Sequence, residues 1–432
     1  MQNRQFGRLS AASILLISAV ALATVQDASS AAPRDRAARK AAMTVGAERA
    51  VATARPTSAQ ATPAVAWNGQ RYLVVWAEGS ADGSTAIYGA RVDPDGTVLD
   101  PNGILLGTGG PGLLLSNPTV AGGGGRFFVA WEQEPEGTYD DLGDALVGNG
   151  GAVLKQSFLS RVDNQQSNPA AAWNGKLFLA VWEDQPDVTD QEIYGARITR
   201  DGLVLDGCSG DSCPNGDDPG ITIEAAPGDQ TLPAVAANDQ YFVVPWTDTN
   251  VATPTDITDT GVATNAEVLG FGSTFSISHA AGAQSEPSIA RTGDTFLIAW
   301  TDRRSGSVPN IFATLIQPGT EDDFNSTPLS PNGVAVSTAA GSQSGPSVAR
   351  RGTGYVVVWT DARRGGLDVF GARVNASGTV VDAGGVPIAA TARAESDPAA
   401  VAGSGNQLVA YTRVAPAAPF NGVTRVFFRV LS

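Results

Sequence analysis

Short apolar runs separated by glycine-rich turns recur along this chain. The first cycle holds a short strand from Thr62 to Trp67, the pair Asn68-Gly69, and the unbroken apolar run Tyr72-Leu73-Val74-Val75-Trp76. Asn-Gly is the strongest short hairpin signal, because both positions tolerate positive φ. An apolar run without alternation belongs to a strand covered on both faces. A polar loop follows, then Ile87 to Val92, the turn Asp93-Pro94-Asp95-Gly96, and the segments Thr97-Val98-Leu99 and Ile104-Leu105-Leu106. The pattern predicts four hairpin-linked strands in one antiparallel sheet.

The cycle repeats seven times. Pro63, Pro118, Pro169, Pro233, Pro287, Pro346 and Pro398 each precede by 13 residues an aromatic that closes the second strand: Trp76, Trp131, Trp182, Trp246, Trp300, Trp359 and Tyr411. The mean repeat of about 56 residues, with four strands per unit, predicts an all-β, seven-bladed β-propeller. Ile193 to Ile198 and Val369 to Val374 copy the third strand, and Asn174-Gly175 copies the first hairpin. Each proline opens the innermost strand, where a missing N–H is tolerated at a start and an edge. The aromatics are expected to wedge between neighbouring sheets.

The seventh repeat ends after its third strand. Ala50 to Ala54 precedes Thr62-Pro63 much as Pro387 to Thr391 precedes Asp397-Pro398, so the N-terminal segment is expected to complete the last blade. Closure of this kind removes two sheet edges. Pro245, directly before Trp246, should cost a ladder bond or force a bulge. Asp144 to Val147 and Glu267 to Gly270 are the expected third strands of repeats two and four.

Composition refines this. Residues 1–31 read as a signal peptide, with Arg4 and Arg8 before the apolar run Leu9 to Val25. Residues 32–45 read as a disordered basic leader, and 46–432 as the propeller. A secreted or periplasmic location follows, with no membrane span after cleavage. Cys208 and Cys213 lie in a Gly/Asp/Ser-rich insert, and an oxidising compartment favours a disulfide between them. Residues 1–45 carry +4, which leaves −19 for the rest of a −15 chain. So acidic a body is a poor partner for nucleic acid. A monomer is expected.

Candidate chemistry gathers on the rim that carries both the proline-side loops and the loops after the aromatics. Two residues beyond each aromatic stand Glu78, Gln133, Asp184, Asp248, Asp302, Asp361 and Arg413. The bland reading is that the carboxylates cap loop amides or pair with basic neighbours. The functional one is a ring for cations or sugar hydroxyls. Loops of repeats two and three are acidic, whereas repeats five and six bring Arg303-Arg304 and Arg363-Arg364. The candidate ligand residues are Glu78, Asp184, Asp248, Asp302, Arg303, Asp361 and Arg363.

No cofactor is implied. A calcium ion could draw on Asp248, Asp256 and Asp259, or on Asp211, Asp217 and Asp218, though neither loop has the spacing of a helix–loop–helix calcium site. A single histidine, His279, excludes multi-histidine metal centres, and there is no nucleophile elbow or phosphate loop. Paired carboxylates for glycoside hydrolysis remain open, since any two rim acids could approach.

The unit Ser/Thr-x-Pro-x-Val-Ala, Phe/Tyr-Leu-Val-Val-Trp-x-Asp, Ile-Tyr-Gly-Ala-Arg-Val and Asp-Gly-Thr-Val-Leu-Asp resembles repeats of secreted bacterial β-propeller proteins. The resemblance spans residues 46–432 and implies fold and location, not a reaction. The sialidase Asp-box occupies the same hairpin between strands three and four. Asp95-Gly96, Asp201-Gly202 and Ser377-Gly378 lack its spacer and its tryptophan. The sequence thus points to a non-enzymatic binding module for an extracellular protein or glycan. A glycoside hydrolase-like enzyme or a multivalent lectin is the alternative. A lectin should repeat its site in most blades, whereas an enzyme should concentrate unlike residues at the channel mouth.

Overall fold

Seven antiparallel sheets, one for each repeat, succeed one another along the chain in the computed structural model; six are four-stranded, and in the fourth repeat the inner and outer strands are each split in two. It describes residues 42–432 apart from 56, 80–82, 111, 136–139, 163, 187–189, 208–219, 250–254, 270–274, 416, 419 and 421. The expected signal peptide, most of the leader and the Cys208–Cys213 pair lie outside the described residues. Met43–Ser432 form one compact unit. The architecture is the seven-bladed propeller expected from the repeat, and the described residues contain no helix.

Blade 1 shows the plan: Ala59–Trp67 innermost, then Tyr72–Gly79, Thr85–Val92 and Ile104–Thr108 outermost. Thr97 to Leu99, expected to share the fourth strand, makes only the hairpin bridge Val92↔Val98. The second strand is the most buried, with Tyr72 to Trp76 all at 0% exposure, as its unalternated sequence requires. The repeat aromatics join adjacent blades. Trp182 packs in a cluster with Phe128 and Leu142 of blade 2, and Trp359 in one with Leu297 and Ile311 of blade 5.

The ring closes through the N-terminal segment, in a register earlier than expected. Arg49 and Ala50 pair with Phe428 and Phe427, Val51 N–H donates to Val426 O, and Val45 bridges Leu431. Met43 is buried in the same cluster as Val409 and Phe427, so residues 43–45, read as leader, belong to blade 7. Ala52 and Ala54 do not pair as strand. Their carbonyls instead accept hydrogen bonds from the fully buried guanidinium of Arg425.

Blade 4 departs most from the sequence expectation. Its third strand is Asp256–Ala263, not Glu267 to Gly270, which contributes only Val268–Leu269 to the outer edge. Pro245 sits in the second strand, and beside it the innermost strand breaks into Asp229–Thr231 and Ala236–Ala237. Ala234 N–H still reaches Pro245 O at 2.9 Å, but Pro245 has no N–H to return. The ladder bond is lost there. In blade 2 the third strand is Asp141–Gly148, enclosing the expected Asp144 to Val147.

Candidate functional site

Six of the innermost strands carry the same irregularity at their proline, and in blade 4 the strand is broken there. In blade 1 the register jumps from Ala61↔Ala77 to Ala64↔Val75, so Thr62 and Pro63 together oppose the single residue Trp76. The same two-against-one bulge occurs at Asn117-Pro118, Asn168-Pro169, Glu286-Pro287, Gly345-Pro346 and Asp397-Pro398. All seven residues before the prolines are left-handed, with φ between 44° and 60°: Thr62, Asn117, Asn168, Leu232, Glu286, Gly345 and Asp397. Six of them are not glycine, and a side chain held there costs on the order of 1–3 kcal/mol. Bulges re-aim side chains, and here all seven line one mouth of the central channel, a cavity of about 400 Å³.

Four carboxylates stand at or beside this mouth, none of them among the residues singled out from sequence as ligand contacts. Glu132 accepts from Ser116 Oγ at 2.8 Å, Asn117 Nδ2 at 2.7 Å and, from the next blade, Asn168 N–H at 2.7 Å. Glu183 accepts from Ser167 Oγ at 3.0 Å, Asn168 Nδ2 at 2.9 Å and Leu232 N–H of the next blade at 2.5 Å. Burial pushes the Glu183 carboxyl above its ordinary range; its hydrogen bonds oppose that shift, and nearby Glu132 adds to it. These two tie neighbouring blades together.

Glu286 and Asp397 are less enclosed. Glu286 Oε2 accepts from Thr301 Oγ1 at 2.6 Å and from Gly345 N–H at 2.8 Å. Asp397 Oδ2 accepts from Ser396 Oγ at 3.0 Å and Thr412 Oγ1 at 2.8 Å. Among the described residues, Glu286 Oε1 and Asp397 Oδ1 have no hydrogen-bond partner. Blade 6, between them, has Gly345 at the equivalent position and so adds no polar side chain there. Thr62 Oγ1 is also buried without a partner.

The acids two residues beyond the aromatics sit deeper. Glu78, Asp184, Asp302 and Asp361 are 0–2% exposed and accept the indole N–H of their own blade's tryptophan at 2.8–3.3 Å. In blades 5 and 6 an arginine completes the anchor. Arg304 forks onto Asp302 at 2.8 and 2.6 Å, and Arg363 onto Asp361 at 2.8 and 2.5 Å. Each guanidinium also stacks on a third-strand ring, Phe312 at 3.8 Å and Phe370 at 4.1 Å. The basic residue at the anchor is therefore Arg304. Arg303 is exposed, and among the described residues its side chain donates only to Ser307 O.

The two end blades build the same anchor with borrowed parts. In blade 1, Arg55 from the N-terminal segment pairs with Glu78 and stacks on Tyr88. In blade 7 the acid position is Arg413, and Glu48 supplies the carboxylate to it and to Tyr411 Oη, both at 2.5 Å. Blade 4 lacks the anchor. Trp246 Nε1 has no partner, and burial, with Asp256 nearby, raises the Asp248 carboxyl. Asp256 Oδ2 lies 2.6 Å from His279 Nδ1, while Asp259 is a buried strand residue. Among the described residues no three His, Cys, Asp or Glu are grouped to hold a metal ion.

A second regularity escaped the sequence reading. Three residues before five of the prolines stand Gln60, Gln166, Gln230, Gln284 and Gln343, all 0% exposed. Gln230, Gln284 and Gln343 each donate to carbonyls of the crossover loop entering their own blade.

No family model matches the chain, and no curated protein does. Among solved structures, similar chains are propeller glycoside hydrolases. Trypanosoma rangeli sialidase with the inhibitor DANA shares 8% identity at a TM-score of 0.46, over 86% of this chain and 59% of its own. An α-L-arabinofuranosidase from Lactobacillus brevis shares 11% at 0.39, over 65% and 96%. A subtype N11 neuraminidase-like protein of a flat-faced bat influenza virus shares 7% at 0.43, over 90% and 94%. This chain thus spans 59% of the length of that sialidase. Likenesses this distant say nothing of site residues.

Proposed function

We propose that the protein is a secreted, carbohydrate-directed propeller with one axial site at the proline-ringed mouth, where Glu286 and Asp397 form the working carboxyl pair. One observation carries this reading. A single backbone position, turned into the mouth in all seven blades, bears Thr, Asn, Asn, Leu, Glu, Gly and Asp. A multivalent lectin would repeat its side chains there. Unlike groups converging on one cavity suit a single asymmetric ligand.

The chemistry of these groups favours hydroxyls. Asn117 and Asn168, whose amide N–H groups are held by Glu132 and Glu183, keep their carbonyls, and Glu286 and Asp397 each bring one free carboxyl oxygen, so the mouth is equipped to accept hydrogen bonds from sugar hydroxyls. No lysine or arginine lines the cavity, and four carboxylates lie at or beside it, so an acidic sugar would be repelled. The ligand is a neutral saccharide. Two carboxyl groups flanking an open gap are also the equipment of glycoside hydrolysis: one protonates the leaving oxygen, and the other activates water or attacks the anomeric carbon.

Calorimetry against neutral oligosaccharides, with hydrolysis of aryl glycosides, tests the reading. One ligand per chain is expected, with turnover falling about 10²–10⁴-fold in Glu286→Gln and in Asp397→Asn. Seven ligands per chain would mark a lectin. Neither binding nor turnover would shift the assignment to protein partners.

A further inference from the structure

The opposite mouth of the channel has an unrelated chemistry. It opens on a cavity of about 370 Å³ that shares no lining residue with the proline mouth. Its floor is alanine and valine, and its charged lining residues are Arg291 and Arg350, on adjacent blades. Across the mouth, on blades 1 and 3, stand Trp67 and Trp173. No carboxylate lines it.

Trp67 and Trp173 are the two tryptophans of the eight that do not close a second strand. The other six are 0–4% exposed, whereas these two are only half-buried, each ending an innermost strand. Each packs at a tilt against a ring of its own hairpin, Trp67 against Tyr72 at 4.8 Å and 56° and Trp173 against Phe178 at 4.5 Å and 51°. Blade 2, between them, makes room with glycines. A Cβ on Gly123 would come within 2.1 Å of the Trp173 ring, and one on Gly122 within 2.5 Å of Trp67 O. Neither indole N–H has a partner among the described residues.

The cations are not equivalent. Arg291 donates to Asp239 at 3.0 Å and to Gly293 O at 2.6 Å. Arg350 is exposed, and its side chain has no hydrogen bond or ion pair among the described residues. A guanidinium without a partner, facing two half-buried indoles over an apolar floor, matches a ligand that is flat on one face and carries a carboxylate.

We infer that this second mouth is a binding site for a ring-bearing carboxylate of the sugar-acid class, with Trp67 and Trp173 as stacking walls and Arg350 as the anion partner. The inference is independent of the reaction proposed for the proline mouth and selects the opposite charge.

Tryptophan emission of the full chain tests it, because acrylamide can reach only these two of the eight indoles. Tri-galacturonate should give a saturable spectral shift and protect both from quenching. Galactotriose, which lacks the charge, and acetate, which lacks the ring, should bind at least tenfold more weakly. Arg350→Gln, at an exposed position, should weaken tri-galacturonate about tenfold, and Trp67→Phe should do likewise. Glu286→Gln should leave binding unchanged. No saturable shift, equal binding of galactotriose, or loss of the response in Glu286→Gln would each overturn the assignment.

Discussion

Asp302→Ala probes the anchor that recurs beneath the rim. Asp302 has 0% exposure and accepts from Trp300 Nε1, Arg304 N–H, Arg304 Nε and Arg304 Nη2 at 2.6–2.8 Å. Removing one partner of a buried ion pair costs about 3–5 kcal/mol, because the other charge is left uncompensated. Arg304 is 21% exposed and keeps its bond to Asn332 O and its stacking on Phe312, which places the loss near the lower end, about 3 kcal/mol. With an unfolding entropy of about 2.1 cal/mol/K per residue, that is a fall in Tm of roughly 4 °C for the compact unit Met43–Ser432. Urea unfolding followed by tryptophan emission reads the loss as a shift in midpoint at constant slope. A double-mutant cycle with Arg304→Met should show a coupling of about 1 kcal/mol or more. Arg303→Ala, in contrast, should stay within about 0.5 kcal/mol of the parent. Additivity of the Asp302 and Arg304 changes, or an Asp302→Ala loss below about 1 kcal/mol, would refute the anchor role.

Asp144 is 1% exposed, and burial raises its carboxyl to about 6, against a partial offset from Ser157 and Lys155. Between its unfolded value of 3.8 and 6 the folded chain binds more protons, so this group's contribution makes stability fall as pH rises through that window. Asp144→Asn should therefore stabilise at pH 8 by up to about 3 kcal/mol and show no gain near pH 3.5, read from urea midpoints at each pH. Arg425→Met removes the guanidinium that bonds the carbonyls of Ala52, Ala54, Arg55 and Ser58. The N-terminal segment should then detach, and limited proteolysis should cut between residues 46 and 60 in the variant only. Leu232 is a non-glycine residue at φ 53° before Pro233. Leu232→Asn, better suited to that region, should raise stability by about 0.5–1 kcal/mol in the same urea assay.

The acids that the repeat brings forward are the ones the scaffold uses. Recurrence marks a position with a shared scaffold job, and in four of the seven blades that job, at Glu78, Asp184, Asp302 and Asp361, is to receive an indole N–H. A site for one ligand must instead break the repeat. It does so at the residue before each proline, where seven blades carry six residue types. The same difference hid the opposite mouth, where Trp67 and Trp173 look like ordinary strand ends until the ring brings blades 1 and 3 around one cavity.

Hydrophobic periodicity, the Asn-Gly turns and the interval from proline to aromatic are local, and local signals determined the seven sheets and their order. The N-terminal completion of blade 7 was also legible, because a missing strand must be supplied from somewhere. Its register was not, since Glu48 and Arg425 lie 377 positions apart and meet the same blade only once the ring has closed. Nor could the chain alone reveal the bulge. A residue before proline ordinarily prefers extended backbone, yet here all seven are left-handed. Where an aromatic packs between sheets, two inner-strand residues oppose it, and that tertiary arrangement turns one position of each blade, six of the seven with a side chain, toward one axis.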